Sequence, residues 1–374
     1  MADAPPPFDP DAAADPEGGL YGLPRDADAA DLWVVPAPWD ATCSYRRGAA
    51  GGPAAVAAAS YQVELHDAAA GEPWRRGIHL ADPDPRLAGW NDEARRLADG
   101  VLARAGRIDD EPALQADLER VNELSALADG AIEAAVADAL AAGKRVVLLG
   151  GDHATALGSL RAHARHHMDA EGSGAAGLGV LHLDAHADLR RAYEGFERSH
   201  ASVLFNALEP GLAHPPGTRR AGDDLPVPGA GEGIARLVQV GLRDLSRGER
   251  ERIERDGRIH AVFDHEWGAA RAAGEDLGLL VTEAIERLPA KVYLTLDVDG
   301  LDPTLCPSTG TPVPGGLSWH EAWTWIDAVR ASGRELVGAD LVEVAPGPSG
   351  PGGSDSWDAV VGARLLYRLL GALA

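Results

Sequence analysis

Cysteine is nearly absent: the 374 residues hold only Cys43 and Cys306, far apart along the chain. That provides no disulfide framework and suits a reducing cytoplasm. Long hydrophobic runs are missing too. No apolar stretch reaches the roughly 18 residues that a membrane-spanning helix needs. Met1 to Pro7 lack the basic and apolar regions of a secretion signal. Positive charge is scarce, with 34 Lys and Arg against 58 Asp and Glu and a net charge of −24. Lys144 and Lys291 are the only lysines. Nucleic acid and anionic membranes repel such a surface, so neither is expected as a partner, whereas a small cationic substrate is favoured. A high-salt cytoplasm and a GC-rich genome would each account for the bias.

What is present is regular alternation. Residues 1–30 are rich in Pro, Ala, Asp and Gly and read as a flexible N-terminal arm. Residues 31–374 then read as one domain. A short strand, Leu32 to Val35, is closed by Pro36. Residues 53–60, 92–104 and 111–142 read as helices, the last capped at Gly143. Apolar runs of strand length follow at 145–149, 178–183, 237–242, 259–263, 292–296 and 336–342. Helical stretches at 154–167, 247–255, 276–288 and 319–331 separate most of them, and an apolar helix, Val360 to Leu370, closes the chain. Residues 206–233 form a Pro/Gly-rich excursion expected as a surface loop. Continuous apolar strands alternating with helices predict an α/β fold, a mostly parallel sheet covered on both faces. In such sheets ligands bind beyond the carboxyl ends of the strands.

The residues after three strands carry chemistry. After 145–149 comes Gly150-Gly151-Asp152-His153. After 178–183 comes Asp184-Ala185-His186-Ala187-Asp188. After 292–296 comes Asp297-Val298-Asp299-Gly300. Alone, the first is usually a turn and helix cap. Asp297-x-Asp299-Gly300 could open a calcium loop, but the position where an EF-hand needs Glu is Ser308. Together they deliver carboxylate and imidazole to one sheet edge, without thiolate. That donor set suits Mn2+ or a similar divalent ion, and six ligands with two shared carboxylates suffice for two ions. His182, two residues before Asp184, is read as a core or supporting residue. His163 and His167, one helical turn apart, are read as a solvated helix face.

These motifs resemble the ureohydrolases, the arginase–agmatinase family. The likeness continues through Thr309 to Leu317, Asp340 to Val344, and Ser44 to Ala49 with Gly52-Pro53, and spans roughly residues 32–370. It implies a three-layer α-β-α domain that commonly forms trimers or hexamers. It implies two Mn2+ per chain, with Ni2+ an alternative. His153, Asp184, Asp188 and Asp297 would hold one ion, and Asp184, His186, Asp297 and Asp299 the other. Glu343 would pair with the substrate guanidinium, with Thr311 also at the substrate. His200 would be an acid–base group on a loop. Asp188 would orient a metal-bridging hydroxide, whose attack releases urea and an amine.

The resemblance to arginases fails in two places. The run Leu189 to Arg198 lacks the Asn and Ser that hold an amino-acid carboxylate, and Ser246 stands where arginases carry an acid. Agmatine is therefore the expected substrate, with Glu194 or Glu197 meeting its far ammonium. Guanidinobutyrate, guanidinopropionate, guanidine, arginine and formimidoylglutamate remain alternatives. Arg190, Arg191 or Arg198 in the pocket would instead favour a carboxylate-bearing substrate. A deacetylase-like amidohydrolase with one ion, or a non-catalytic relative, are the readings from other classes.

Overall fold

The computed structural model describes residues 8–169, 177–209, 233–347 and 356–374. Eight strands form one sheet: β1 (Leu32–Ala37), β2 (Ile78–Leu80), β3 (Arg145–Gly150), β4 (Leu178–Leu183), β5 (Ile234–Leu242), β6 (Ile259–Phe263), β7 (Lys291–Asp297) and β8 (Glu335–Val342). Their order is β2-β1-β3-β8-β7-β4-β5-β6, and every pairing of neighbours is parallel. Among the described residues the helices are α1 (Gly52–Ala59), α2 (Arg86–Leu102), α3 (Pro112–Ala141), α4 (Ala156–Asp169), α5 (Val203–Leu208), α6 (Arg247–Arg255), α7 (Asp264–Ala273), α8 (Leu277–Ile285), α9 (Trp319–Ala331) and α10 (Trp357–Leu373).

Strand side chains alternate between the two faces, so a buried parallel strand must be apolar at every position. In β3, Val147 and Leu149 pack with α1, α9 and α10, while Val146 and Leu148 pack with α2 and α3. On the second face α4 and α5 continue the cover over β4 and β5. The expected three layers are thus present. No helix among the described residues is long and apolar enough to cross a membrane.

Three details differ from the sequence reading. First, β1 runs through Pro36 to Ala37. Leu32 N–H and Val34 C=O bond toward the β2 side, and Pro36 faces that side after β2 has ended at Leu80. The missing N–H therefore costs no ladder bond. Second, part of the expected loose arm is docked. Leu20, Tyr21 and Leu23 are buried in the main core, and the Tyr21 hydroxyl donates to Ala363 C=O of α10 at 3.0 Å. Spaced apolar residues among Pro, Gly and Asp carry no periodicity, so only their burial reveals them. Residues 1–7, and most of the 206–233 excursion, lie outside the described residues. Third, His163 is fully buried on α4 rather than solvated.

Candidate metal centre

The four central strands, β3, β8, β7 and β4, are neighbours in the sheet. Each carries a candidate site residue at its carboxyl end: His153 beyond β3, Glu343 beyond β8, Asp297 and Asp299 at β7, and Asp184, His186 and Asp188 beyond β4. Four strand ends thus meet at one edge. The packing there requires glycine at two points. A Cβ on Gly300 would sit 2.6 Å from Asp184 N, and one on Gly151 would sit 1.8 Å from Trp39 O. Arg243, after β5, fastens the same edge by donating to Asp299 C=O at 2.6 Å, Leu301 C=O at 3.2 Å and Val313 C=O at 3.1 Å.

The donor atoms converge. His153 Nδ1 lies 3.1 Å from Asp184 Oδ2, 2.9 Å from Asp188 Oδ2 and 3.3 Å from Asp297 Oδ2. It is buried, yet none of the three contacts has hydrogen-bond geometry. Three oxygens around one imidazole nitrogen, none bonded to it, fit ligands sharing a cation. Bonds of about 2.1 Å to a common ion put neighbouring donors about 3 Å apart. A second group forms beside it: His186 Nδ1 lies 3.0 Å from Asp299 Oδ2 and 3.5 Å from Asp184 Oδ1. His153, Asp184 and Asp188 form one cluster able to hold a metal ion, and Asp184, His186 and Asp299 another, with Asp184 common to both.

His182 also falls near the first cluster. Its ring is already engaged, with Nε2 2.7 Å from Asp184 Oδ2 and Nδ1 3.0 Å from Gln239 Nε2. Gln239 Nε2 can only donate, so His182 Nδ1 accepts and Nε2–H donates to Asp184. Both ring nitrogens of His182 are therefore committed, one of them to Asp184. Gln239 lies 57 residues away in sequence, which is why the motif alone could not assign this role.

The electrostatics of the centre ask for positive charge. Burial, Asp299 and Asp184 hold the Asp297 carboxyl well above the usual carboxylate range. Burial and Asp184 push Asp188 up to about 6. Burial opposes a charge on His186, but Asp299 and Asp184 outweigh it and push the imidazole up to about 12. Burial likewise opposes ionisation of Asp184, but His182, His153 and His186 hold it well below its ordinary value. Clustered buried carboxylates that repel one another are neutralised by bound cations.

Backbone strain marks the same place. Asp188 and Glu343 hold φ of 52° and 63°, in the left-handed region that side chains with a Cβ avoid. Glu343 Oε1 accepts from His153 N–H at 2.9 Å. Its carboxyl is buried, and no Lys or Arg pairs with it among the described residues. Burial and Asp297 raise its pKa well above the ordinary value. Asp152, which the sequence reading treated only as part of a turn, is buried beside Glu343 with both oxygens lacking hydrogen-bond partners.

A cleft with an empty volume of about 540 Å³, open to solvent, adjoins the centre. Ser44, His186, Asp188, Arg190, Tyr193, His200, Asp244, Glu249 and Thr311 line it. Thr311 Oγ1 donates to Asp299 Oδ2 at 3.2 Å. Burial, His186 and His153 lower the His200 imidazole to about 4. Glu197 is not brought to the cleft. It is exposed, and its N–H is anchored on Asn122 Oδ1 of α3. Arg198 is turned inward onto Asp129 at 2.9 Å, and Arg191 is exposed. Ser246 caps α6, with its hydroxyl donating to Glu249 Oε2 at 2.7 Å.

Comparison with known proteins agrees with this geometry. The profile of the arginase family matches residues 30–371. The N(1)-aminopropylagmatine ureohydrolase of Thermus thermophilus is 33% identical over 322 residues, 85% of this chain and 84% of that protein. The guanidinopropionase of Pseudomonas aeruginosa is 30% identical over 359 residues, 94% and 90% of the two chains. A solved structure described as a hypothetical agmatinase from Burkholderia thailandensis superposes with a TM-score of 0.63 at 25% identity, covering 95% of this chain and 89% of that one. The chain belongs to the arginase family, and its His/Asp clusters make it a metal-dependent hydrolase of guanidino compounds.

Proposed function

We propose that this member of the arginase family hydrolyses a guanidino compound with a cationic tail, agmatine in the first instance, to urea and the matching amine. The observation that carries the choice of tail is Asp244. Its side chain lines the cleft at 69% exposure, and among the described residues it faces only His186 Nε2, at 3.9 Å. An accessible carboxylate at the rim suits an ammonium group. It takes the part that sequence reasoning gave to Glu194 or Glu197.

Two Mn2+ per chain, or Ni2+, suit the mixed carboxylate and imidazole donors. His153, Asp184, Asp188 and Asp297 would hold one, and Asp184, His186, Asp297 and Asp299 the other. When bound, such cations would lower the pKa of a coordinated water and so supply a nucleophile at neutral pH. The chain's own residues do the rest. Glu343, buried without a cationic partner, offers a planar carboxylate to a planar guanidinium, which allows paired hydrogen bonds. Thr311 borders the guanidinium site from the Asp299 side. Asp188 orients the attacking group through its strained backbone position. His200, neutral at pH 7, accepts a proton and passes it to the departing amine.

A second reading rests on Arg190, which also lines the cleft and would suit a guanidino acid. The guanidinopropionase relative points the same way. Against it, the Arg190 guanidinium is engaged, with Nε 3.4 Å from Glu249 Oε2 and the group stacked 4.9 Å from the Tyr193 ring. A urea-release assay over agmatine, N(1)-aminopropylagmatine, guanidinobutyrate, guanidinopropionate, guanidine, arginine and formimidoylglutamate tests both readings. The highest kcat/KM is expected on agmatine or its aminopropyl derivative. A preference for a guanidino acid would overturn the cationic tail, and no urea from any member would overturn the activity. Metal analysis should find two ions per chain, and His153→Ala or Asp299→Asn should lose metal and turnover together. One ion per chain would favour the deacetylase-like chemistry.

A further inference from the structure

His153 presents Nδ1 to the three carboxylates, so its other nitrogen decides which tautomer it adopts. Nε2 lies 2.8 Å from Thr295 Oγ1. Thr295 Oγ1 donates in turn to Asp340 Oδ1 at 2.8 Å. The fold builds this line from three adjacent strands. Asp340 on β8 sits in register with Leu148 of β3 on one side and Thr295 of β7 on the other. All three side chains are fully or almost fully buried, so no bulk water competes for these contacts.

We propose that Thr295 and Asp340 are positioning residues that set the tautomer of His153 and thereby its capacity to bind an ion. The polarity runs one way. Asp340 Oδ1 also accepts from Leu296 N–H at 3.3 Å, so it is an acceptor oxygen. A hydroxyl has one proton, and Thr295 spends it on Asp340. Its lone pair is then left for His153, which must supply the proton on Nε2. Nδ1 is the nitrogen without one, and it faces Asp184, Asp188 and Asp297 with its lone pair available. A ligand histidine usually donates directly to a carboxylate or carbonyl. Here a hydroxyl stands between, and it transmits the acceptor character of Asp340 one bond further. Asp340 has no Lys or Arg partner among the described residues, so the cation that His153 would hold is the positive end of the line.

The inference rests on His153 being an ion ligand, and the test separates the two claims. Mn2+ is titrated into full-length wild type, His153→Ala, Thr295→Val, Thr295→Ser and Asp340→Asn, and free Mn2+ is followed by electron paramagnetic resonance. Melting in EDTA reports the fold of each variant independently of metal. Thr295→Val removes the hydroxyl at nearly constant shape. Asp340→Asn can turn an N–H toward Thr295, reversing the line and leaving the proton on Nδ1. Both should bind one of the two ions roughly 10–100-fold more weakly, while melting in EDTA stays near wild type. Thr295→Ser keeps the hydroxyl and should bind as wild type. Wild-type affinity in Thr295→Val or in Asp340→Asn would overturn the proposal. So would a Thr295→Ser as weak as Thr295→Val, since that would make the effect one of packing. If His153→Ala itself kept both ions, the ligand assignment would fall instead.

Discussion

His200 stands on the wall of the cleft, half-buried, with no hydrogen-bond partner on Nδ1. Burial, His186 and His153 lower it to about 4, so at neutral pH it is an acceptor before it is a donor. Cations bound at the centre would act in the same direction. That order matches a group that receives a proton and then delivers it to a leaving amine. It sits on a tight turn, His200–Ser202, that opens α5, and the Ser199 and Ser202 hydroxyls bond at 2.9 Å beneath it. Since no hydrogen bond or ion pair joins it to a proposed ligand among the described residues, its removal should be separable from metal loss. His200→Asn should lower kcat by roughly 10²–10⁴-fold while KM and bound metal stay within a factor of two. The check is steady-state kinetics with metal analysis on the same preparations; kcat within twofold of wild type would remove His200 from the mechanism.

At the scale of elements, legibility followed length and burial. Strands β4 and β6 and helices α6 and α9 begin and end where the sequence places them, because turn residues bound each of them and Ser246 and Ser318 cap the two helices. The six candidate ligands come together because a parallel sheet delivers all its strand ends to one edge. Strand β2 was not readable: three residues on the sheet border, paired only with β1, make no pattern. Nor were the partners of the ligands, since Thr295 and Asp340 lie 45 residues apart and meet only through strand register.

The α4–β8 contact has the same origin. A Cβ on Gly338 of β8 would lie 2.1 Å from His163 Nε2, and the ring is pinned by Nδ1 donating to Ser159 C=O at 2.9 Å. Gly338→Ala should destabilise the protein by about 1–3 kcal/mol, and adding His163→Ala should recover part of that loss. Simple additivity in urea unfolding would contradict the contact. The same histidine links stability to pH. Burial lowers His163 to about 3 from its ordinary 6.5. The unfolded chain therefore takes up a proton that the folded protein refuses. The stabilisation is complete above about pH 6.5 and is lost as pH falls toward 3. His163→Leu should accordingly lose less stability than wild type between about pH 7 and about pH 5. Equal losses would show that His163 does not titrate in this range.

Over the whole molecule, a net charge of −24 acts on the fold and on the substrate in opposite senses. Excess acidic groups repel one another and strain the compact state, and salt relieves that by screening. The same field draws a cationic substrate toward a cleft whose rim carries Asp244, and salt weakens that attraction. At about 0.1 M ionic strength the screening length is about 10 Å, so the distant surface charges are lost first and the contacts within the cleft last. Raising KCl should therefore raise the melting temperature while lowering kcat/KM for a cationic guanidino substrate. A zwitterionic one such as guanidinobutyrate should respond much less, since it carries no net charge for the field to steer. The fall should appear in kcat/KM and leave kcat nearly constant, because the chemistry takes place at the buried centre. Melting curves and initial rates over one KCl series read both effects on one preparation. A melting temperature that falls with salt would remove self-repulsion as a determinant of stability. A kcat/KM for the cationic substrate that stays flat would mean that the acidic surface takes no part in its capture, and that recognition begins only inside the cleft.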